Sequence, residues 1–174
     1  MEPRVQPLPP AEWDDFQRAN PYNVFTTLAR HPRVYRGWLR FGGALLDGTL
    51  PARDRELAIL RTAHHRGSDY EWSAHARIAL DSLTEQEIQA VRQADATWHG
   101  VDALVLRVAD ELHEAGDLTD ETWAAVCKHY DEVGRIELVM LIAHYDMLAV
   151  VLKTLRVQVD DPSGMKKPTG IPGS

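Results

Sequence analysis

Cysteine is almost absent from this chain: its 174 residues include one, Cys127. A single thiol cannot close an intramolecular disulfide. It also excludes a Cys-x-x-Cys redox pair and a cysteine-based zinc cluster. Positive charge is scarce as well. Nineteen Lys and Arg stand against 26 Asp and Glu, for a formal net charge of −7. That balance argues against a nucleic-acid partner, which calls for a basic patch. It offers no polybasic stretch for an anionic membrane surface either. Long clean apolar runs are missing too. The richest, "IELVMLIAHYDMLAVVL" at 136–152, is interrupted by Glu137, His144 and Asp146, so no membrane span is expected. The opening "MEPRVQPLPPAEW" lacks the apolar core of a secretory signal. A cytoplasmic protein with no membrane partner is the expectation. Strand-like alternation and tandem repeats are also wanting.

What is present suits one all-α domain. Hydrophobic residues make up 44% of the chain, enough for a proper core at this length. Residues 1–22 read as an N-terminal arm, with four prolines in the first ten positions. Residues 23–157 read as the helical domain. The proline- and glycine-rich 158–174 read as a disordered tail. Within the domain, 23–46 is helical with a joint at Pro32, because proline disfavours the α region at His31. A helix over 51–67 starts at Pro51 and is stopped by Gly67. Ser68 or Asp69 caps the next, over about 70–82. Thr84 and Glu87 form a capping box for a short helix at 84–93. Apolar residues at 101, 104, 105, 108, 109 and 112 keep a 3.6-residue period up to Gly116. Thr119 caps a helix over 118–131. The last helix, about 132–156, is apolar nearly all round and is expected to be the central, most buried one.

One stretch carries an unusual set of side chains. "RELAILRTAHHRGSDYEWSAHARIAL", 55–80, puts Glu71 and His75 on one helical face, four residues apart. Glu56 lies on the preceding helix beside Ile59, Leu60 and Ala63. This stretch resembles the signature of the carboxymuconolactone decarboxylase family, which includes the alkylhydroperoxidase D-like proteins. The resemblance implies an all-helical domain of about six to eight helices. It also implies self-association into a homotrimer or a hexamer, with the interface close to the motif. In the redox branch of that family a glutamate is followed twelve residues later by Cys-x-x-Cys-x-x-x-His. Here Glu56 matches the glutamate and His75 the histidine, while Ser68 and Glu71 replace the two cysteines. Thiol peroxidase chemistry needs a thiolate, so it is not expected. Cys127, on a distant helix, supplies no pair. The Tyr-Glu-Trp-x-x-His form resembles the decarboxylase branch. That branch implies a small-molecule substrate, a lactone or related oxygenated acid, and proton transfer with no metal or organic cofactor.

The residues support such chemistry on their own terms. His75 titrates near neutrality and can donate a proton. Glu71 can orient it, or hold a proton itself if burial raises its pKa. Glu56, at the edge of an apolar stripe, is a third candidate. Glu56, Glu71 and His75 are therefore the candidate catalytic residues. Tyr70, Trp72, His64, Ser68, Arg61 and His144 are the candidate pocket, with Arg61 or Arg77 available to attract an anion. Plainer readings exist for each. From spacing alone Glu71 and His75 read as a surface pair worth about a few tenths of a kcal/mol, a reading that the resemblance reverses in favour of a site. His64 and His65 read as helix-end cations, Ser68 as a cap, and His144 as a hydrogen-bonded core residue. Trp38 reads as core or interface packing. A metal set of His64, His65 and His75 is disfavoured, since adjacent helical residues point apart and no His-Glu-x-x-His is present.

Overall fold

The helix that organises this protein begins one residue after Pro51. In the computed structural model, which describes residues 2–93, 95–161, 163 and 166–171, nine α-helices follow one another among the described residues. They are α1 (Asp15–Ala19), α2 (Asn23–Leu28), α3 (Pro32–Leu46), α4 (Ala52–Arg66) and α5 (Asp69–Ile78), then α6 (Glu85–Ala90), α7 (Gly100–Ala115), α8 (Asp120–His129) and α9 (Glu132–Leu155). The fold is all-α, as expected. The count exceeds six to eight because α1 and the α2–α3 break add short pieces.

The ends of these helices are set by local chemistry. The side chains of Ser68, Thr84, Thr119 and Asp131 each accept a hydrogen bond from a backbone N–H of the following first turn. The Thr84–Glu87 capping box is complete. Asp14 and Gln17 form a second box that starts α1, inside the segment read as an N-terminal arm. Gly67 and Gly116 end α4 and α7 in the left-handed region, with φ of +55° and +71°, where a Cβ is disfavoured.

α4, not α9, is the central helix. It packs on α5, α7 and α9, and Leu57, Ala58, Ile59 and Leu60 are all fully buried. Four consecutive helical residues point in every direction around the axis, so α4 is covered on all sides. α9 buries one stripe, through Leu138, Leu141, Tyr145, Leu148 and Leu152, and exposes another through Ile136, Met140, Met147 and Val150. Apolar composition all round did not distinguish these two situations. By length and composition α9 is apolar enough to cross a membrane. Here its inner stripe packs on α3, α4, α5, α7 and α8, and its Asp146 pairs with Arg66 of α4.

Described parts of both terminal segments lie against this body. In the arm, the Leu8 N–H donates to the Thr26 carbonyl at 2.9 Å and the Trp13 indole donates to the Leu8 carbonyl at 2.8 Å. The described part of the segment read as a disordered tail is bound as well. Asn20 donates to the Thr169 carbonyl at 3.1 Å and accepts from the Thr169 N–H at 3.2 Å. Ile171 is buried against Gly43 of α3. Positions 162, 164, 165 and 172–174 of that segment lie outside the described residues.

The turn between α3 and α4 hangs on one buried carboxylate. Glu137 of α9 accepts from the Thr49 N–H (2.8 Å), the Thr49 hydroxyl (2.7 Å) and the Leu50 N–H (3.1 Å). Removing it leaves the buried Leu50 N–H and the part-buried Thr49 donors without this acceptor. Glu137→Ala is expected to lower stability by about 2–4 kcal/mol, measured by urea unfolding. A loss below about 0.5 kcal/mol would show that water replaces the carboxylate at no cost.

Candidate active site

Helices α2, α3, α5 and α9 surround a small cavity of about 80 Å³ beneath the described C-terminal residues. α3 contributes Trp38, α5 contributes Glu71 and His75, and α9 contributes His144 and Tyr145, while Glu56 of α4 stands behind His75. The tight Gly67–Ser68 junction turns α5 back onto α4, which brings His75 to Glu56 across 19 residues of sequence.

The three candidate catalytic residues form one connected line. His75 Nδ1 lies 2.8 Å from Glu56 Oε2, and His75 Nε2 lies 3.8 Å from Glu71 Oε2. The far oxygen of Glu56 accepts from Arg55 Nε at 3.1 Å. Glu56, Glu71 and His75 are all buried, at 1%, 4% and 5% exposure, so the surface-pair reading of Glu71 and His75 does not apply. Glu71 and His75 line the cavity. Glu56 does not; it sits behind the imidazole. The edge of His75 meets the Tyr145 ring at 4.9 Å between centres, nearly perpendicular.

Burial and charge push these groups apart. Burial raises the Glu71 carboxyl to about 7 against an opposing pull from His75. Burial acts upward on Glu56 too, but the charge and hydrogen bond of His75, then Arg55, outweigh it and hold Glu56 below the usual carboxylate range. For His75, burial disfavours the charged ring. The charge and hydrogen bond of Glu56, then Glu71, overcome this and raise it above its ordinary value. One carboxylate thus stays ionised behind the imidazole while the other holds a proton near neutral pH.

Of the candidate pocket residues, Tyr70 and His144 line the cavity. The Tyr70 hydroxyl is committed elsewhere, donating to Asp160 at 2.5 Å and accepting from the Val24 N–H at 3.1 Å. Ser68 is the α5 cap, accepting from the Glu71 N–H at 3.4 Å. Trp72 is buried outside the cavity under the Arg92 guanidinium, 3.5 Å from its ring centre. Arg61 is bound to Asp110 at 2.6 Å on the α7 side, and His64 and Arg77 are exposed. Helical spacing places α4 and α5 residues around their axes, but it does not say which face meets the cavity. Among the described residues no group of three His, Cys, Asp or Glu converges as a metal set, so His64, His65 and His75 do not form one. Sequence reasoning passed over Tyr145 and placed Trp38 in generic packing. The i,i+4 pair Trp38–Gly42 on α3, facing an isolated His-Tyr in an apolar helix, is the signal that was available.

The model of the carboxymuconolactone decarboxylase family matches residues 32–111. Those residues belong to the carboxymuconolactone decarboxylase family. The matched region spans α3 to α7 and includes Glu56, Glu71 and His75, but not α9. No curated protein sequence matches the chain. Solved structures share the fold. One is the alkylhydroperoxidase AhpD core of an uncharacterized peroxidase-related protein from Ralstonia eutropha JMP134. It is 23% identical over 92% of this chain and 95% of that one, with a TM-score of 0.75. An uncharacterized peroxidase-related protein from Silicibacter sp. TM1040 is 14% identical over 94% and 92%, with a TM-score of 0.78. A variant of the debrominase Bmp8, in complex with 2,3,4-tribromopyrrole, is 15% identical over 93% and 94%, with a TM-score of 0.72.

The raised Glu71 has a consequence for stability. Its carboxyl moves from 4.5 in the open chain to about 7 in the fold, so between these values the folded state binds more protons. Stability therefore falls as pH rises through that window. The contribution is about 3 kcal/mol. Glu71→Gln cannot ionise, so relative to wild type it should gain stability between pH 5 and pH 8. Urea unfolding at both values checks this; parallel curves would show that Glu71 ionises normally in the fold.

Proposed function

We propose that this chain is a cofactor-independent acid/base enzyme of the lyase type, acting on a small oxygenated ring compound, a lactone or related acid. The observation that carries the proposal is the buried line Glu56–His75–Glu71 with its Glu71 end opening on an apolar cavity. Ionised Glu56 accepts from Nδ1–H of His75 and fixes the ring's orientation, so that Nε2 faces Glu71. Glu71, near 7, can carry a proton at neutral pH and still release it.

The reaction that fits is protonation of an electron-rich carbon. When a carbon–carboxylate bond breaks, carbon dioxide leaves and the electron pair passes into an adjacent carbonyl as an enolate. Glu71 gives its proton to the carbon where the new C–H bond forms, then recovers one from Nε2 of His75, which solvent reprotonates as product leaves. When a carbon–hydrogen bond breaks instead, Glu71 in its ionised form takes that proton as the enolate forms. It returns the proton to the carbon where the new C–H bond forms, so that no proton is gained or lost overall. The apolar walls favour steps in which charge disperses or is lost. Loss of carbon dioxide and migration of a double bond share this proton transfer. A thiol route finds no support, because the two motif cysteines of the redox branch are Ser68 and Glu71 here. We also propose that the exposed stripe of Ile136, Met140, Met147 and Val150 on α9 is where copies of the chain associate.

The test is turnover of a panel of lactones and lactone acids, followed by carbon dioxide release and by deuterium uptake from solvent. Glu71→Gln and His75→Gln are each expected to lower kcat by about 10²- to 10⁴-fold. Full activity in either variant would sink the assignment. Ile136→Glu combined with Met140→Glu should reduce the mass seen by sedimentation; an unchanged mass would place self-association elsewhere.

A further inference from the structure

The Glu71–His75 line accounts for one wall of the cavity. Another part of the wall carries polar atoms that the proton transfer does not use. Trp38 of α3 and His144 of α9 both line the cavity, and their rings stack with centres 6.2 Å apart and planes 16° from parallel. Trp38 Nε1 and His144 Nδ1 are buried, and neither has a hydrogen-bond partner among the described residues. Such orphaned groups are uncommon in folded proteins and call for an explanation. Gly42 makes the arrangement possible: a Cβ there would lie 3.2 Å from His144 Nε2. The His144 edge also packs on Tyr145 at 5.3 Å, so Tyr145 touches both imidazoles.

The charges around this wall are as informative. The expected anion-attracting arginines are elsewhere: Arg61 is held by Asp110 and Arg77 is exposed. Arg55 is spent on Glu56. Among the described lining residues Lys166 is the one Lys or Arg, and it is exposed. The cavity therefore offers a carboxylate no buried Lys or Arg. The one buried cation on its wall, His75, is already paired with Glu56, and Glu71 beside it repels a carboxylate when ionised. Burial, followed by the charge of His75, holds His144 at about 4, so its ring is neutral under ordinary conditions. An imidazole and an indole N–H together make one acceptor and two donors with no net charge.

We infer that Trp38 and His144 are substrate-binding residues that take the oxygen of an uncharged ring compound, so that the substrate enters the cavity neutral rather than as a carboxylate. This rests on the proton-transfer reading, in which the cavity beside Glu71 is where substrate sits. It narrows that reading toward a neutral lactone or enol and away from loss of carbon dioxide. The ring packs against the aromatic wall, its oxygen meets the Trp38 N–H and His144, and its reacting carbon faces Glu71.

The experiment is calorimetric titration of the full chain at pH 7 with three probes that share one ring: phenol, toluene and benzoate. Phenol is expected to bind at least 10-fold more tightly than benzoate. His144→Phe keeps the aromatic packing and removes both nitrogens. It should weaken phenol about 5- to 10-fold and leave toluene within about 2-fold. Trp38→Phe is the second variant, with the same expectation, should His144→Phe fail to fold. Benzoate binding as tightly as phenol would overturn the neutral-substrate inference. So would an unchanged phenol-to-toluene ratio in a folded variant, or no binding of any probe. These outcomes are separable from the catalytic assignment. Turnover lost in Glu71→Gln with benzoate preferred would keep the proton transfer and reject this inference. Full turnover in Glu71→Gln with phenol preferred would do the reverse.

Discussion

The hydrogen bond between His75 and Glu56 is the constraint on which the rest of the site depends. Two ionisable side chains have been taken almost wholly out of water, which each tolerates only because the other is 2.8 Å away. Once Glu56 is held ionised by His75 and Arg55, the imidazole has one orientation open to it and its Nε2 is aimed at Glu71. Glu71 has no comparable partner: His75 Nε2 is 3.8 Å away. The difference between the two glutamates is one of geometry, and it sends their pKa values in opposite directions. The proposed roles of a fixed charge, a relay and a labile proton rest on that single asymmetry.

The fold can be understood as the means of supporting this arrangement. α4 is wrapped on all sides, so Glu56 projects from a rigid, desolvated helix. The left-handed Gly67 and the Ser68 cap reverse the chain within two residues and lay α5 alongside α4. α9 then closes the site with Tyr145 and His144. Its outward stripe of Ile136, Met140, Met147 and Val150 remains apolar, which is more than a monomer's surface requires. The same helix thus completes the cavity with one face and presents the proposed self-association surface with the other.

Replacement of the redox branch's cysteines by Ser68 and Glu71 changes what this scaffold can do. Ser68 retains a structural task, capping α5, that a cysteine performs poorly. Glu71 stands at the position of the redox branch's attacking cysteine, and in the proposed reaction it offers a proton in place of a thiolate. The surrounding wall is largely apolar and aromatic, with hydrogen-bonding groups at Trp38 and His144. The similar solved structures share the fold at 14% to 23% identity, a level at which the chemistry has to be read from the side chains themselves.

Much of this protein was legible in its sequence. The helix boundaries at Gly67, Thr84, Gly116 and Thr119 follow from capping chemistry that acts within three or four residues. The trio Glu56, Glu71 and His75 was marked by a motif with a fixed spacing. Helix α1 was missed because prolines before it masked a capping box at Asp14 and Gln17. What the sequence could not express is which side of a helix meets which neighbour. Arg61, His64 and Trp72 stand within a few residues of the trio, yet they face α7, solvent and Arg92. Trp38, His144 and Tyr145 lie far away in sequence and line the cavity. α9 is as apolar as a fully buried helix but is covered on one face only. Local hydrogen bonding is determined within a few residues of chain, so sequence settles it. Burial, electrostatic environment and the identity of a cavity's walls are set by contacts between distant segments, and tertiary packing alone decides those.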